Sequence, residues 1–462
     1  MFNINFSTLR KAYENSPRFV KSAVGLVPFS ILAGRHYRET LQRNLDIDSA
    51  SQEQILDLQS KKLGRLLDYA TQQVPYYQKF RHLVEKYPPL DALKEFPIVD
   101  KDDVQSQPEL FLSNEIDKIP HYETTTGGTS GNQLRIILEN NSHSCETAFI
   151  HRLWGRVNYE TSCKKATFRG HVIEGKKTNE FWQENPIYRE LMFSSFHMSA
   201  DNLDNYLQKL QEYSPKYIHG YPSAVATLAN QILATGKKTN LKLNAVLLGS
   251  EAAFIEQREA IELAFGCRVF TWYGHSERLI LAGECEQNSS YHQLPDYGLA
   301  EIVKPDSTVA QPGETGELVG TTLNNRVMPL IRYRTGDYAT RLESRCECGR
   351  NHFRFDAVQG RWNQEFLIGR SGAKIFSTAL NMHGDAFTHV MRYQYYQNKV
   401  GLVKVKILPS ASYSDKDTQT IYQLIKDRIG HDFDIDCEIV KEIPLTTRGK
   451  FKRLIQETEN HE

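Results

Sequence analysis

The chain of 462 residues has no surplus charge of either sign: 56 Lys and Arg stand against 56 Asp and Glu. A general nucleic-acid binder needs surplus positive charge along one face, and an acidic solvating protein needs the reverse, so the balance argues against both. Cysteine is scarce and odd in number, seven in all. Cys145, Cys163, Cys267 and Cys437 are scattered, which does not read as a secreted disulfide framework. Long hydrophobic runs are missing too. The most apolar early stretch, residues 23–34, is broken by Pro28 and is shorter than the roughly 20 residues a spanning helix needs. It reads as a buried helix–turn segment, with peripheral membrane contact as the alternative. The first residues lack the apolar run and cleavage site of a signal peptide, so the expected location is cytoplasmic. There are no internal repeats and no low-complexity linkers.

What is present suits a large soluble globular chain. At roughly 150 residues per domain, the length predicts about three units, or one large domain and a smaller one. Such a chain buries a sizeable core without disulfide or metal staples. Residues 1–120 read mainly helical; Gln52–Gln73 carries Ile55, Leu56, Leu58, Leu63, Leu66 and Leu67 at helical spacing. From 200 to 275 the pattern alternates. Helices are predicted at 203–213, 222–234 and Ile255–Phe265, and strands at 216–219, 241–248 and 268–272. This alternation predicts a mostly parallel sheet covered on both faces, with ligand groups collected on loops after the strand ends. Two such loops are Gly249-Ser250-Glu251 and Tyr273-Gly274-His275-Ser276-Glu277. Short β segments at 300–303, 317–322, 330–334 and 338–341 predict a small antiparallel unit. A tail follows, with a hairpin around 369–372, a strand at 402–408, a helix at Asp415–Ile429 and a strand at 434–440. The expected class is α/β. A large N-terminal domain, 1–360, has mostly parallel sheets and a small β-rich subdomain; a mobile α+β C-terminal domain spans 361–462.

Four motifs carry chemistry. In TTTGGTSG, residues 124–131, three glycines and five hydroxyl residues form a loop whose N–H and O–H groups can face an anion. It lacks the lysine of a P-loop, and a flexible turn is the other reading. In WYGHSE, residues 272–277, an aromatic ring can stack on a base and a carboxylate can hold Mg²⁺, against a core Tyr and a surface Glu. RYRTGD, residues 332–337, reads as a turn whose Asp337 faces a ribose diol, or as an ordinary β-turn. PLTTRGKFKR, residues 444–453, sets Lys450 after Gly449, where it can stabilise developing phosphate charge or be merely solvated. No GxSxG elbow or HxxxD supports an acyltransferase that works without a nucleotide.

In order and separation the set resembles the adenylate-forming superfamily of acyl-CoA synthetases. It resembles more narrowly the phenylacetate-CoA ligase-like branch and the CapK-like proteins of capsular polysaccharide biosynthesis. The resemblance spans roughly residues 50–455. It implies that Thr125, Thr126, Gly127, Gly128, Thr129 and Ser130 hold the ATP phosphates. It places Tyr273 and Gly274 against adenine beside Ser276, with Gly249, Ser250 and Glu251 lining the base pocket. It gives Glu277 to Mg²⁺, Asp337 to the ribose and Arg361 to the ribose or phosphate edge. Lys450 is then the catalytic lysine at the carboxylate–phosphate junction. Two strings depart from the family pattern. GRWNQ, with Trp362 and Asn363, replaces the acidic GRxDD hinge, which puts domain rotation in question; Ser276 replaces a threonine and keeps the hydroxyl.

The implied reaction is attack of a carboxylate on the ATP α-phosphorus, giving an acyl-adenylate and pyrophosphate, followed by transfer to a second acceptor. That acceptor is CoA, or an amine or hydroxyl on a sugar or amino acid in surface polysaccharide biosynthesis. A non-catalytic nucleotide-binding scaffold is the alternative. Cys285, His292, Cys346 and Cys348 can close a tetrahedral Cys₃His zinc site, an arrangement the branch also resembles; free reduced thiols are the other reading. His171, His219 and Tyr221 are further candidates near the acid. The residues that choose the acid are spread over 150–275 and do not name it.

Overall fold

The structure, a computed structural model, describes residues 16–44, 47–125, 134–171, 173, 180–360, 366–376, 385–387, 389–429, 432–446 and 449–458. The helix Gln52–Gln73 starts at a capping box, in which Ser51 and Gln54 each accept the other's backbone N–H. Its buried face, with Leu63, Leu66 and Leu67, belongs to the same hydrophobic core as Ile302, Leu318 and Ile331. A hairpin of β1 (His121–Thr125) and β2 (Arg135–Glu139) follows.

One twelve-stranded sheet organises the body. Its strands are β3 (Lys165–Phe168), β4 (Trp182–Asn185), β5 (Glu190–Phe193), β6 (Tyr217–Gly220), β7 (Ala245–Leu248) and β8 (Arg268–Gly274). These are joined by β9 (Leu281–Gly283), β10 (Tyr291–Gln293), β11 (Gly298–Val303), β12 (Thr315–Thr322), β13 (Tyr333–Leu342) and β14 (Arg354–Gly360). The spatial order is β11-β12-β13-β14-β10-β9-β8-β7-β6-β3-β5-β4. From β5 through β3, β6 and β7 to β8 all pairs are parallel; beyond β8, and at β4, they are antiparallel. β7 shows why the parallel strands read as unbroken apolar runs. Ala245 and Leu247 pack with Phe149 and Leu153 on one face, while Val246 and Leu248 join Leu228 and Ile232 on the other.

The C-terminal lobe begins with the hairpin of β15 (Phe366–Ile368) and β16 (Lys374–Phe376). Its sheet holds β17 (Val390–Lys399), β18 (Leu402–Pro409), β19 (Asp434–Ile439) and β20 (Leu454–Gln456) in the order β19-β18-β17-β20. Ile421, Ile425 and Ile429 of the helix Asp415–Ile429 cover Val403, Val405 and Ile407. Met391, Leu408 and Ile443 leave that core and join the body's cluster around the helix Pro222–Thr235.

Four expectations change. The antiparallel unit is no separate sheet, because β8 pairs with β7 on one edge and β9 on the other. Segments 330–334 and 338–341 are not two strands around a turn. β13 runs through Gly336, whose φ of +75° is accommodated by register shifts against both neighbours. The strand at 241–248 shortens to β7; Asn244, just before it, turns its side-chain amide to the Tyr217 hydroxyl at 2.9 Å. The stretch 23–34 is not uniformly buried: Phe29 is, but Leu26 is 82 % and Ile31 58 % exposed. Among the described residues no helix is long and apolar enough to cross a membrane.

Candidate active site

The parallel strands aim their C-terminal ends at one edge. The residues that follow them line it: Ser195 after β5, Arg169 after β3, Tyr221 after β6, Gly249 and Ser250 after β7, and His275 after β8. Tyr273, near the end of β8, donates its hydroxyl to Asp337 Oδ2 at 2.7 Å. The candidate adenine and ribose residues are therefore directly joined. Burial first, and the Asp337 charge second, hold the Tyr273 phenol well above its ordinary pKa, so it stays a neutral donor. The Asp337 N–H donates to Thr335 Oγ1 at 3.1 Å and the Gly336 N–H to Glu317 Oε1 at 3.2 Å, which fix the bulge that presents the carboxylate.

Glu277 is oriented by its own motif. The Ile280 N–H donates to His275 Nε2 at 3.3 Å, so the proton of a neutral ring lies on Nδ1, which faces Glu277 Oε2 at 3.2 Å. A partly buried carboxylate with a fixed imidazole donor is a suitable hard-oxygen ligand for Mg²⁺. Ser250 has a φ of +69°, an uncommon conformation for serine, and its hydroxyl accepts from Arg169. Gly249 is dictated by packing: a methyl group there would lie 2.6 Å from Cε2 of Trp272.

The C-terminal lobe closes on this edge. Thr446 and Lys450 form a turn, with Thr446 N–H to Lys450 O at 2.9 Å and Lys450 N–H to Thr446 Oγ1 at 3.0 Å. Gly449, at φ +69°, packs against Gly170 and Ser195. Glu251, a candidate for the base pocket, accepts the Ser223 N–H at 3.2 Å and the Phe451 N–H at 2.8 Å on its two oxygens. It thereby ties the body to the residue after Lys450. Arg453 reinforces the contact, donating to Glu256 at 2.6 Å and stacking over Phe254.

On the antiparallel side of the sheet, the ligand atoms of Cys285, His292, Cys346 and Cys348 all lie within 4.8 Å of one another. Cys285 and Cys346 Sγ are 3.8 Å apart, and Cys348 Sγ is 3.9 Å from His292 Nε2. Thiolates on a tetrahedral zinc with bonds of about 2.3 Å stand about 3.8 Å apart, so the four groups fit the ion.

The structure thus brings Tyr273, Gly274, Ser276, Glu277, Asp337, Gly249, Ser250, Glu251 and the Lys450 turn into one region. Thr125 closes β1. Thr126, Gly127, Gly128, Thr129, Ser130 and Arg361 lie outside the described residues, as do Trp362 and Asn363. Sequence reasoning passed over Arg169 and Ser195. Their positions just past the ends of β3 and β5 were the available signal.

A large body of this topology with a small lobe docked over the strand ends matches the fold of solved acyl-CoA ligases. The chain matches 2-hydroxyisobutyryl-CoA ligase in its postadenylation state with a TM-score of 0.67, at 17% identity, over 88% of this chain and 90% of that one. The same ligase in its thioesterification state scores 0.57 at 89% coverage of this chain. Protein CapK of Staphylococcus aureus is 23% identical over 90% of this chain and 91% of its own length. Phenylacetate-coenzyme A ligase of Thermus thermophilus is 25% identical over 72% and 76%. Residues 367–457 match the family profile of the CapK C-terminal domain. Over most of its length the chain is thus similar to CapK and to phenylacetate-CoA ligases, and its fold is that of a CoA ligase.

Proposed function

We propose that this chain is an ATP-dependent carboxylate-activating ligase that forms an acyl-adenylate and passes the acyl group to CoA. The observation that carries the reading is the Lys450 turn, held through Glu251 and Phe451 over the edge where Tyr273, Glu277 and Asp337 converge. In this reading the substrate carboxylate attacks the ATP α-phosphorus in line, and pyrophosphate leaves. Asp337 takes the ribose hydroxyls, Tyr273 lies against adenine, and Thr125 with residues 126–130 cradles the phosphates. Glu277 holds Mg²⁺, which offsets phosphate charge; Lys450 does the same at the reacting junction. We place the domain boundary at 360/361, with the smaller domain turning about it to admit the second acceptor.

The match of the C-terminal lobe to the CapK family favours a second reading for that acceptor, an amine or hydroxyl of a surface-polysaccharide precursor. Product masses with and without CoA separate the two. The location in this reading is cytoplasmic. Exposed Leu26, Val27 and Ile31 beside Arg35 and Arg38 support contact with an anionic membrane surface.

The test is ATP–pyrophosphate exchange across a panel of acids with Mg²⁺. Exchange is expected with at least one acid, and Lys450→Ala should lower it by about 100-fold or more while ATP still binds. Tight ATP binding with no exchange for any acid would overturn the reading in favour of a scaffold.

A further inference from the structure

The strand order β8-β7-β6-β3-β5 contains a reversal. From β3 the chain crosses to β5 on one side; from β6 it crosses to β7 on the other. Loops leaving β3 and β6 therefore diverge, and in open α/β sheets the crevice between such loops is where ligands sit. Arg169 follows β3 and Tyr221 follows β6. The Arg169 guanidinium lies over the Tyr221 ring, 5.2 Å from its centroid, donates to the Ser250 hydroxyl, and stands 3.5 Å from His219 Nε2.

Two further facts give the crevice a chemical character. Among the described residues no carboxylate pairs with Arg169; its partners are a hydroxyl, an imidazole and a ring face. Burial first, and the Arg169 charge next, push the His219 pKa well below its ordinary value, so the imidazole adds no charge of its own. Nearby, Ser195 is 2% exposed, its Oγ has no hydrogen-bond partner among the described residues, and it abuts the Gly449 turn beside Gly170. An apolar acid pressed on this wall would strip water from a guanidinium and a hydroxyl and return nothing. A second anionic group would return a charge-assisted pair.

We propose that Arg169 is the specificity determinant of the acid pocket, and that the acid activated here carries a second anionic group besides the carboxylate that reacts. This rests on the ligase reading. It is tested with matched pairs of acids, glutarate against pentanoate and 4-carboxyphenylacetate against phenylacetate, in pyrophosphate exchange. At least one dianionic acid should exceed its neutral partner by about tenfold in kcat/KM. Arg169→Gln should raise the KM for that acid about tenfold or more, with the KM for its neutral partner little changed; Arg169→Lys should fall between. Neutral acids used equally well, with KM unmoved in Arg169→Gln, overturn the proposal. Calorimetric binding of the same acids beside a non-hydrolysable ATP analogue separates the two readings. Dianion binding lost in Arg169→Gln without exchange in any variant sinks the ligase reading and keeps the subsite. Neither binding nor exchange by any dianion sinks the subsite.

Discussion

Trp272 accounts for two glycines of the candidate site. A methyl group on Gly249 would meet its indole at 2.6 Å, and one on Gly274 would meet it at 3.1 Å. Gly249→Ala should therefore overpack the end of β7, costing about 1–3 kcal/mol in urea denaturation and slowing exchange in parallel. Pairing it with Trp272→Phe should recover most of the stability. At this scale the sequence was partly readable. A Gly-Ser-Glu after an apolar strand is visible as a ligand loop. Trp272 as the cause of the glycine is not, because it lies on the neighbouring strand, and neither is the turn of the Glu251 carboxylate toward Phe451.

Among the elements, helices with one apolar stripe and strands buried on both faces were legible: Gln52–Gln73, Ile255–Phe265, β7 and β8. β17 was not, since VMRYQYYQNK has neither an apolar run nor clean alternation. It is central in its sheet because Gln394 and Gln397, both fully buried, spend their amides on Lys452 O at 2.7 Å and Ile368 O at 2.9 Å. Glu251 gives the loop after β7 its own prediction. Glu251→Gln puts an amide N–H against one of two backbone donors. It should slow acyl-adenylate formation about tenfold or more, while transfer from supplied acyl-adenylate persists. Burial, the largest influence, raises the Glu251 pKa against its two N–H bonds.

For the molecule as a whole, the Cys and His quartet that could hold a metal ion joins distant stretches of the sheet. Cys285 follows β9, His292 lies in β10, and Cys346 and Cys348 sit between β13 and β14. Purified protein should carry about one zinc per chain by mass spectrometry. Cys346→Ser should lose the ion and lower Tm by several degrees, at about 2–4 °C per kcal/mol. Full metal-free stability would show that the thiols are simply reduced cysteines. The large-body and small-lobe plan was evident from length and pattern. The merging of parallel and antiparallel strands into one sheet was not, because it depends on the pairing of β8 with β9.

Met391, Leu408 and Ile443 are buried in the body's core although they belong to the lobe. Each time the lobe lifts, these side chains meet water, and newly wetted apolar surface raises the heat capacity. The opening equilibrium should therefore bend with temperature: a van't Hoff plot of the open fraction should curve upward, and Met391→Ala should flatten it.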